Sequence, residues 1–123
     1  MKICVTAEGD NLESKVDQRF GRCPYFIFVD TDTLEFEAVV NQNQSGMGGI
    51  GVKSGQFVAE KKAKVILTGH VGPNAVKTLQ AAGIDVVVDV SGSVKEAVEK
   101  YKNGELKPSD GPNVEEKSGL NNQ

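Results

Sequence analysis

The sequence predicts an α/β domain built on one mixed five-stranded sheet, in the order βββαβαβα, with helices on both faces. Three observations predict it. Residues 1–41 carry three β-rich runs joined by turn residues. Residues 52–102 alternate helical apolar spacing with two short apolar runs, at 64–68 and 84–90. The whole chain has 123 residues, enough for one core and too few for two.

The first run, 2–7 (KICVTA), ends at Glu8-Gly9-Asp10. Residues 25–31 (YFIFVDT) are aromatic and β-branched, as strands favour. In 34–41, Leu34, Phe36 and Ala38 alternate with Glu35 and Glu37, which suits a half-buried antiparallel strand. Asp32-Thr33 is then read as a two-residue connection. Residues 52–63 form a helix with Val52, Ala59 and Ala63 available to one face. A second helix over 73–82 starts on Pro73, places Ala75, Val76, Leu79 and Ala82 at helical spacing, and stops at Gly83. The third, 93–102, opens on a capping-box pattern of Ser93 and Glu96 and repeats Val94, Ala97, Val98 and Tyr101 on one face. Strand–helix–strand units imply parallel pairing, so the connection rules put the first strand centrally, antiparallel to the second and parallel to the fourth.

Composition bounds the function. Fourteen Lys and Arg stand against 17 Asp and Glu, a net charge of −3, which lacks the basic footprint of a nucleic-acid binder. No apolar run approaches the roughly 18–20 residues of a membrane span. The start, MKICVTAEGD, has no apolar signal-peptide core, so a cytoplasmic location is expected. Two cysteines and one histidine cannot make a closed four-ligand zinc site. A soft-metal site here is sparse, shared between chains, or completed by ligands that the metal brings. From Gly104 onward the only apolar residues are Leu106, Val114 and Leu120, so 1–103 is read as the domain and 104–123 as a disordered tail, with a short helix around 114–117 as the alternative.

Ligands of open α/β sheets gather at the carboxyl ends of parallel strands. The connections 7–10, 69–72 and 89–92 meet that description, and three features of the chain are weighed as ligand sites. His70, in the loop TGHVGPN, precedes a helix N-terminus that favours anions; it is either a metal ligand or a loop residue bonding a carbonyl. The run 44–51 (QSGMGGIG), with Gly46, Gly48 and Gly49, is either a flexible crossover or a backbone cradle for an anionic ligand. It lacks the Gly-Lys-Ser/Thr ending of a P-loop. In 16–26 (VDQRFGRCPYF), Arg19 and Arg22 flank Phe20-Gly21, and both are placed to lower the thiol pKa of Cys23 and make it a better metal ligand. The alternative is a loop closed by Arg–carboxylate pairs. Cys4, inside the first run, reads as an inert core thiol.

The order of Asp17-Gln18-Arg19-Phe20-Gly21-Arg22-Cys23 and Phe26, the glycine run at 46–51, Gly72-Pro73-Asn74-Ala75, and Leu79 followed by Ala82-Gly83-Ile84 resembles the dinitrogenase iron–molybdenum cofactor biosynthesis family over residues 1–103. The resemblance implies a ribonuclease-H-like three-layer fold without nuclease activity. It implies binding or transient carriage of an iron–sulfur or iron–molybdenum cluster, or a precursor, between donor and acceptor proteins during cofactor assembly. Arg19 stands where that family often has His, leaving Cys23 and His70 as the metal-ligand candidates. Arg19, Arg22, Gly46, Gly48, Gly49 and Gly72 are the candidate cofactor-binding positions. A nuclease on this fold needs clustered carboxylates, and residues 2–7 contain none; Asp30 and Asp89 do not supply the cluster. No enzymatic activity is expected. The competing reading is a metal-free anion-binding or regulatory module. A monomer or a weak homodimer is compatible with the sequence, the latter able to bring two Cys23 thiols to one cluster.

Overall fold

The computed structural model describes residues 1–42, 49–109 and 111–113. Its elements follow the expected order: β1 (Lys2–Ala7), β2 (Tyr25–Asp30), β3 (Phe36–Val40), α1 (Ile50–Glu60), β4 (Val65–Leu67), α2 (Pro73–Ala81), β5 (Asp85–Val87) and α3 (Val94–Lys102). The sheet runs β3-β2-β1-β4-β5. β1 is central, antiparallel to β2 and parallel to β4, with Cys4 opposite both Phe28 and Ile66.

Strand side chains alternate between faces, and each face has its own apolar layer. Cys4, Phe26, Phe28, Ile66 and Val86 pack with Val58, Val76 and Leu79 of α1 and α2. Ile3, Val5, Ile27, Val29, Leu67 and Val87 pack with Val94, Ala97 and Val98 of α3. Because β1 is covered on both faces, its run is apolar without alternation. α1 approaches α2 through Gly51 and Gly55, one turn apart. A Cβ on Gly51 would lie 3.1 Å from that of Ala75, and one on Gly55 would lie 2.9 Å from Thr78 Cγ2.

One expectation needs correction. The β2–β3 link is five residues, not two. Asp30 Oδ1 accepts from the backbone N–H groups of Asp32 (2.8 Å) and Thr33 (3.3 Å). Leu34 then takes φ 64° and tucks against the α3-side core, so β3 begins only at Phe36. Of the segment after Gly104, residues 105–109 and 111–113 are among those described. Leu106 packs against the α3-side core. The Ser109 N–H donates to the Val86 carbonyl (2.6 Å) on edge strand β5. Asn113 bonds the turn before α2: its N–H donates to the Val71 carbonyl (3.2 Å), and its Oδ1 accepts from the Val71 N–H (2.8 Å). The short helix considered around 114–117 lies outside the described residues.

The α3 cap matches its sequence signature. Ser93 Oγ accepts from the Glu96 N–H (3.1 Å), and Glu96 Oε1 accepts from the Ser93 N–H (2.8 Å). Ser93→Ala is expected to cost about 1 kcal/mol in denaturant unfolding; an unchanged midpoint would show that the cap contributes nothing.

Candidate functional site

After β1 the chain does not turn straight into a helix. It crosses the carboxyl ends of β1 and β4 and docks there through backbone bonds. The Asp17 N–H donates to the Thr6 carbonyl (2.8 Å), and Thr6 Oγ1 donates to the Asp17 carbonyl (2.7 Å). The His70 N–H donates to the Gln18 carbonyl (2.6 Å), and the Phe20 N–H donates to the His70 carbonyl (3.1 Å). The Phe20-Gly21-Arg22 turn is thereby locked beside the turn that leads into α2. Phe20 anchors it by an edge-to-face contact with Phe26, centroids 6.1 Å apart. Gly21, at φ 93°, lets the turn reverse where a Cβ would press on Ile50 Cγ2 at 3.0 Å. From the other side, Asn41 Nδ2 donates to the carbonyls of Gly21 (2.9 Å) and Cys23 (2.8 Å).

This docking creates a cleft of about 430 Å³ between Phe20 and Arg22, residues 49–52 at the start of α1, and residues 72–75 at the start of α2. Two helix N-termini converge on it. Gly49 and Gly72 are their N-caps, neither helix has a side-chain cap, and neither has an acidic residue in its first turn. The positive dipole ends have no neutralising carboxylate in their own first turns. Arg22, exposed at the same cleft, adds a full positive charge. The arrangement suits an anion.

Arg22, Gly49 and Gly72 are the predicted site residues brought together here. Gly46 and Gly48 lie outside the described residues. His70 is exposed on the neighbouring turn but does not line the cleft. Arg19 is turned elsewhere. Its Nε and Nη2 meet the two carboxylate oxygens of Asp17 at 3.2 Å each. Asp17 is nearly fully buried, and its hydrogen bond and charge hold the Arg19 pKa above the usual value. This is the Arg–carboxylate closure that the sequence left as an alternative for this loop.

Cys23 corrects the expectation of an activated thiol. It is 0% exposed, packed in the α1/α2-side core with Cys4. Burial, and then the charge of Asp17, push its pKa up to about 12. The two arginines do not offset this, since Arg19 is paired with the carboxylate that opposes thiol ionisation. Burial pushes Cys4 well above its ordinary value too, as its core reading requires. Among the described residues, no group of three or more His, Cys, Asp and Glu is placed to hold a metal ion. Native protein at pH 8 is therefore expected to resist iodoacetamide at both cysteines, with full labelling only after unfolding. Fast native labelling of Cys23 would contradict its burial. A thiol pKa raised in the folded state also makes stability fall as pH rises from about 9 towards 12.

Residues that the sequence did not single out complete the site. Asp17 was visible inside the motif, and an arginine two residues on was the signal for its role. Asn113 gave no signal; its Nδ2 donates to the Gly69 carbonyl (2.9 Å) and to Asp89 Oδ1 (3.2 Å), tying the turn before α2 to the loop after β5.

Fold and cleft together define a small α/β protein with a cleft lined by Arg22 and two helix N-termini. The chain belongs to the dinitrogenase iron–molybdenum cofactor family, which matches residues 1–104. It is 43% identical to the orange protein of Desulfovibrio gigas, whose apo form superposes with a TM-score of 0.88, covering 91% of this chain and 95% of that one. A NifB-like protein from Thermotoga is 34% identical, with a TM-score of 0.75 over 87% of this chain and 91% of that one. An uncharacterized protein of Methanocaldococcus jannaschii is 28% identical over 86% of this chain and 89% of its own length. No helix among the described residues is long and apolar enough to cross a membrane.

Proposed function

We propose that this protein binds and transiently carries an anionic iron–sulfur or iron–molybdenum cluster, or its precursor, during metallocofactor assembly, without catalysing a reaction itself. The observation that carries the reading is the convergence of Arg22 and two uncapped, carboxylate-free helix N-termini on one cleft. Membership of a cofactor family and likeness to a protein that exists in an apo form support it. The cluster is cargo in this reading. Backbone N–H groups and the guanidinium attract its negative charge, and His70 beside the cleft is the accessible side chain for a bond to iron. Few covalent bonds make release to an acceptor protein easy, as a carrier needs. The cytoplasm as its location, donor and acceptor proteins as its partners, and the ribonuclease-H-like classification of the sheet belong to the same reading.

Cys23 serves the turn rather than the metal in this account. Anaerobic reconstitution with ferrous iron and sulfide, with and without molybdate, tests it. Cys23→Ser is expected to load as fully as wild type and His70→Ala to load less. Loss of loading in a folded Cys23→Ser variant would return the thiol to the metal site and overturn the cleft assignment. A wild type that takes up no cluster but binds phosphate would favour the metal-free anion module.

A further inference from the structure

β3 closes one side of the sheet, and among the described residues nothing pairs with its outer edge. The ladder decides which of its backbone groups face outward. The Asp30 N–H donates to the Glu35 carbonyl (2.9 Å), and the Asn41 N–H donates to the Pro24 carbonyl (2.9 Å). Bonded and non-bonded positions alternate along an antiparallel pair. With Ala38 opposite Ile27, the backbone groups of Glu35, Glu37, Val39 and Asn41 point at β2. Those of Phe36, Ala38 and Val40 point away from the sheet. The side chains of the same three residues share the α3-side face, where Ala38 meets the core. Phe36 and Val40 are 43% and 55% exposed, and with Met1 they are the exposed large apolar side chains among the described residues. An edge that offers open bonding groups and apolar side chains together is a template for another strand.

We propose that two copies of this chain join through β3, antiparallel, about a two-fold axis at Ala38, extending the two sheets into one. A two-fold interface requires a patch that complements itself, and this edge does so in that register. Ala38 faces its counterpart. Phe36 of each copy faces Val40 of the other, an aromatic–β-branched pair. Each of these residues exchanges both backbone bonds with the one opposite. Glu37 faces Val39, so no like charges meet, and its carboxylate is already offset by Lys61 at 2.8 Å. Moving the axis to Glu37 sets the two Glu37 carboxylates opposite each other, which is destabilising. Moving it to Val39 leaves each Phe36 facing Gln42, without an apolar partner. The dimer keeps both Cys23 thiols in their own cores, and no residue of β3 lines the cleft.

Each copy contributes a five-residue strand, so the interface falls below the roughly 1,200 Å² of stable complexes and the dimer is weak. Sedimentation equilibrium of the full chain is expected to show a monomer–dimer equilibrium with a Kd on the order of 0.1 mM. Val40→Lys and Phe36→Glu, each checked for wild-type folding by its melting curve, are expected to weaken it about tenfold, because each substitution acts twice in the dimer. Mixing the two single variants is expected to restore association. The new acid at 36 of one copy then faces the new base at 40 of the other, and the second Phe36–Val40 pair is intact. A wild type that stays monomeric up to about 1 mM, a dimer that both variants leave unchanged, or variants that fail to associate when mixed would each overturn the proposal.

Discussion

Gly69→Ala is expected to destabilise the protein by about 2–3 kcal/mol, the upper range for overpacking a tight site. Gly69 ends the stretch that leaves β4. A Cβ there would lie 2.6 Å from Gln18 Cα and would also collide with the Gln18 side chain. Gln18 cannot step aside. Its carbonyl accepts from the His70 N–H, and its Nε2 donates to the Val90 carbonyl (2.8 Å). Gly69 is itself pinned, since its carbonyl accepts from the Asp89 N–H (2.9 Å) and from Asn113 Nδ2. Relief of the clash must lift the Phe20-Gly21-Arg22 turn off the turn before α2, opening the cleft. Denaturant unfolding measures the stability loss. A loss below about 0.5 kcal/mol, the usual range for an inconsequential surface change, would show that the two turns are not docked as described.

Arg22→Glu is expected to lower cluster loading at least tenfold, and Arg22→Ala by less. The charge reversal puts a carboxylate where two helix N-termini already attract anions, so it cancels part of the helix contribution as well as removing the guanidinium. Arg22 is exposed, so its attraction for cargo is screened by salt, with a Debye length of about 8 Å at physiological ionic strength. Raising the salt should therefore weaken wild-type loading and narrow the gap between wild type and Arg22→Glu. The control is Arg19→Ala, which removes an arginine three residues away that is spent on Asp17. Equal loading in wild type and Arg22→Glu, with both folded, would remove the cleft from the account.

Much of the fold is legible because its signals are local. Ser93 and Glu96 announce α3 four residues at a time, Pro73 and Gly83 bracket α2, and the apolar run of β1 states that both its faces are covered. β3 is the exception. Its alternation extends back to Leu34, but the Asp30 side chain closes a turn on the backbone, a local competitor that periodicity does not weigh. The contacts of Ser109 and Asn113 are not legible in the sequence for a different reason. Their partners, Val86 and Val71, are distant in sequence, and composition counts only what the segment carries.

The site divides in the same way. Arg22, Gly49 and Gly72 could be named because a basic residue after Phe-Gly and glycines before helices are local patterns. Side-chain direction could not be named. Arg19 and Cys23 belong to the same short motif as Arg22, yet one turns back to Asp17 and the other into the core beside Cys4. Both choices are set by the docking of this segment across β1 and β4. Gly51 shows the converse: in the sequence it is one more glycine of a cradle, but in the fold it is also where α1 closes on Ala75.

The central claim is that the cargo sits in the cleft. Its most direct test is amide NMR of the ¹⁵N-labelled protein before and after anaerobic loading with an iron-containing cluster, reading which signals broaden near the paramagnetic iron. The account predicts broadening centred on Phe20, Gly21 and Arg22, residues 49–52 and residues 72–75, with His70 included and the core strand around Ile27 spared. Broadening centred on another face of the protein, with those amides unchanged, would contradict it.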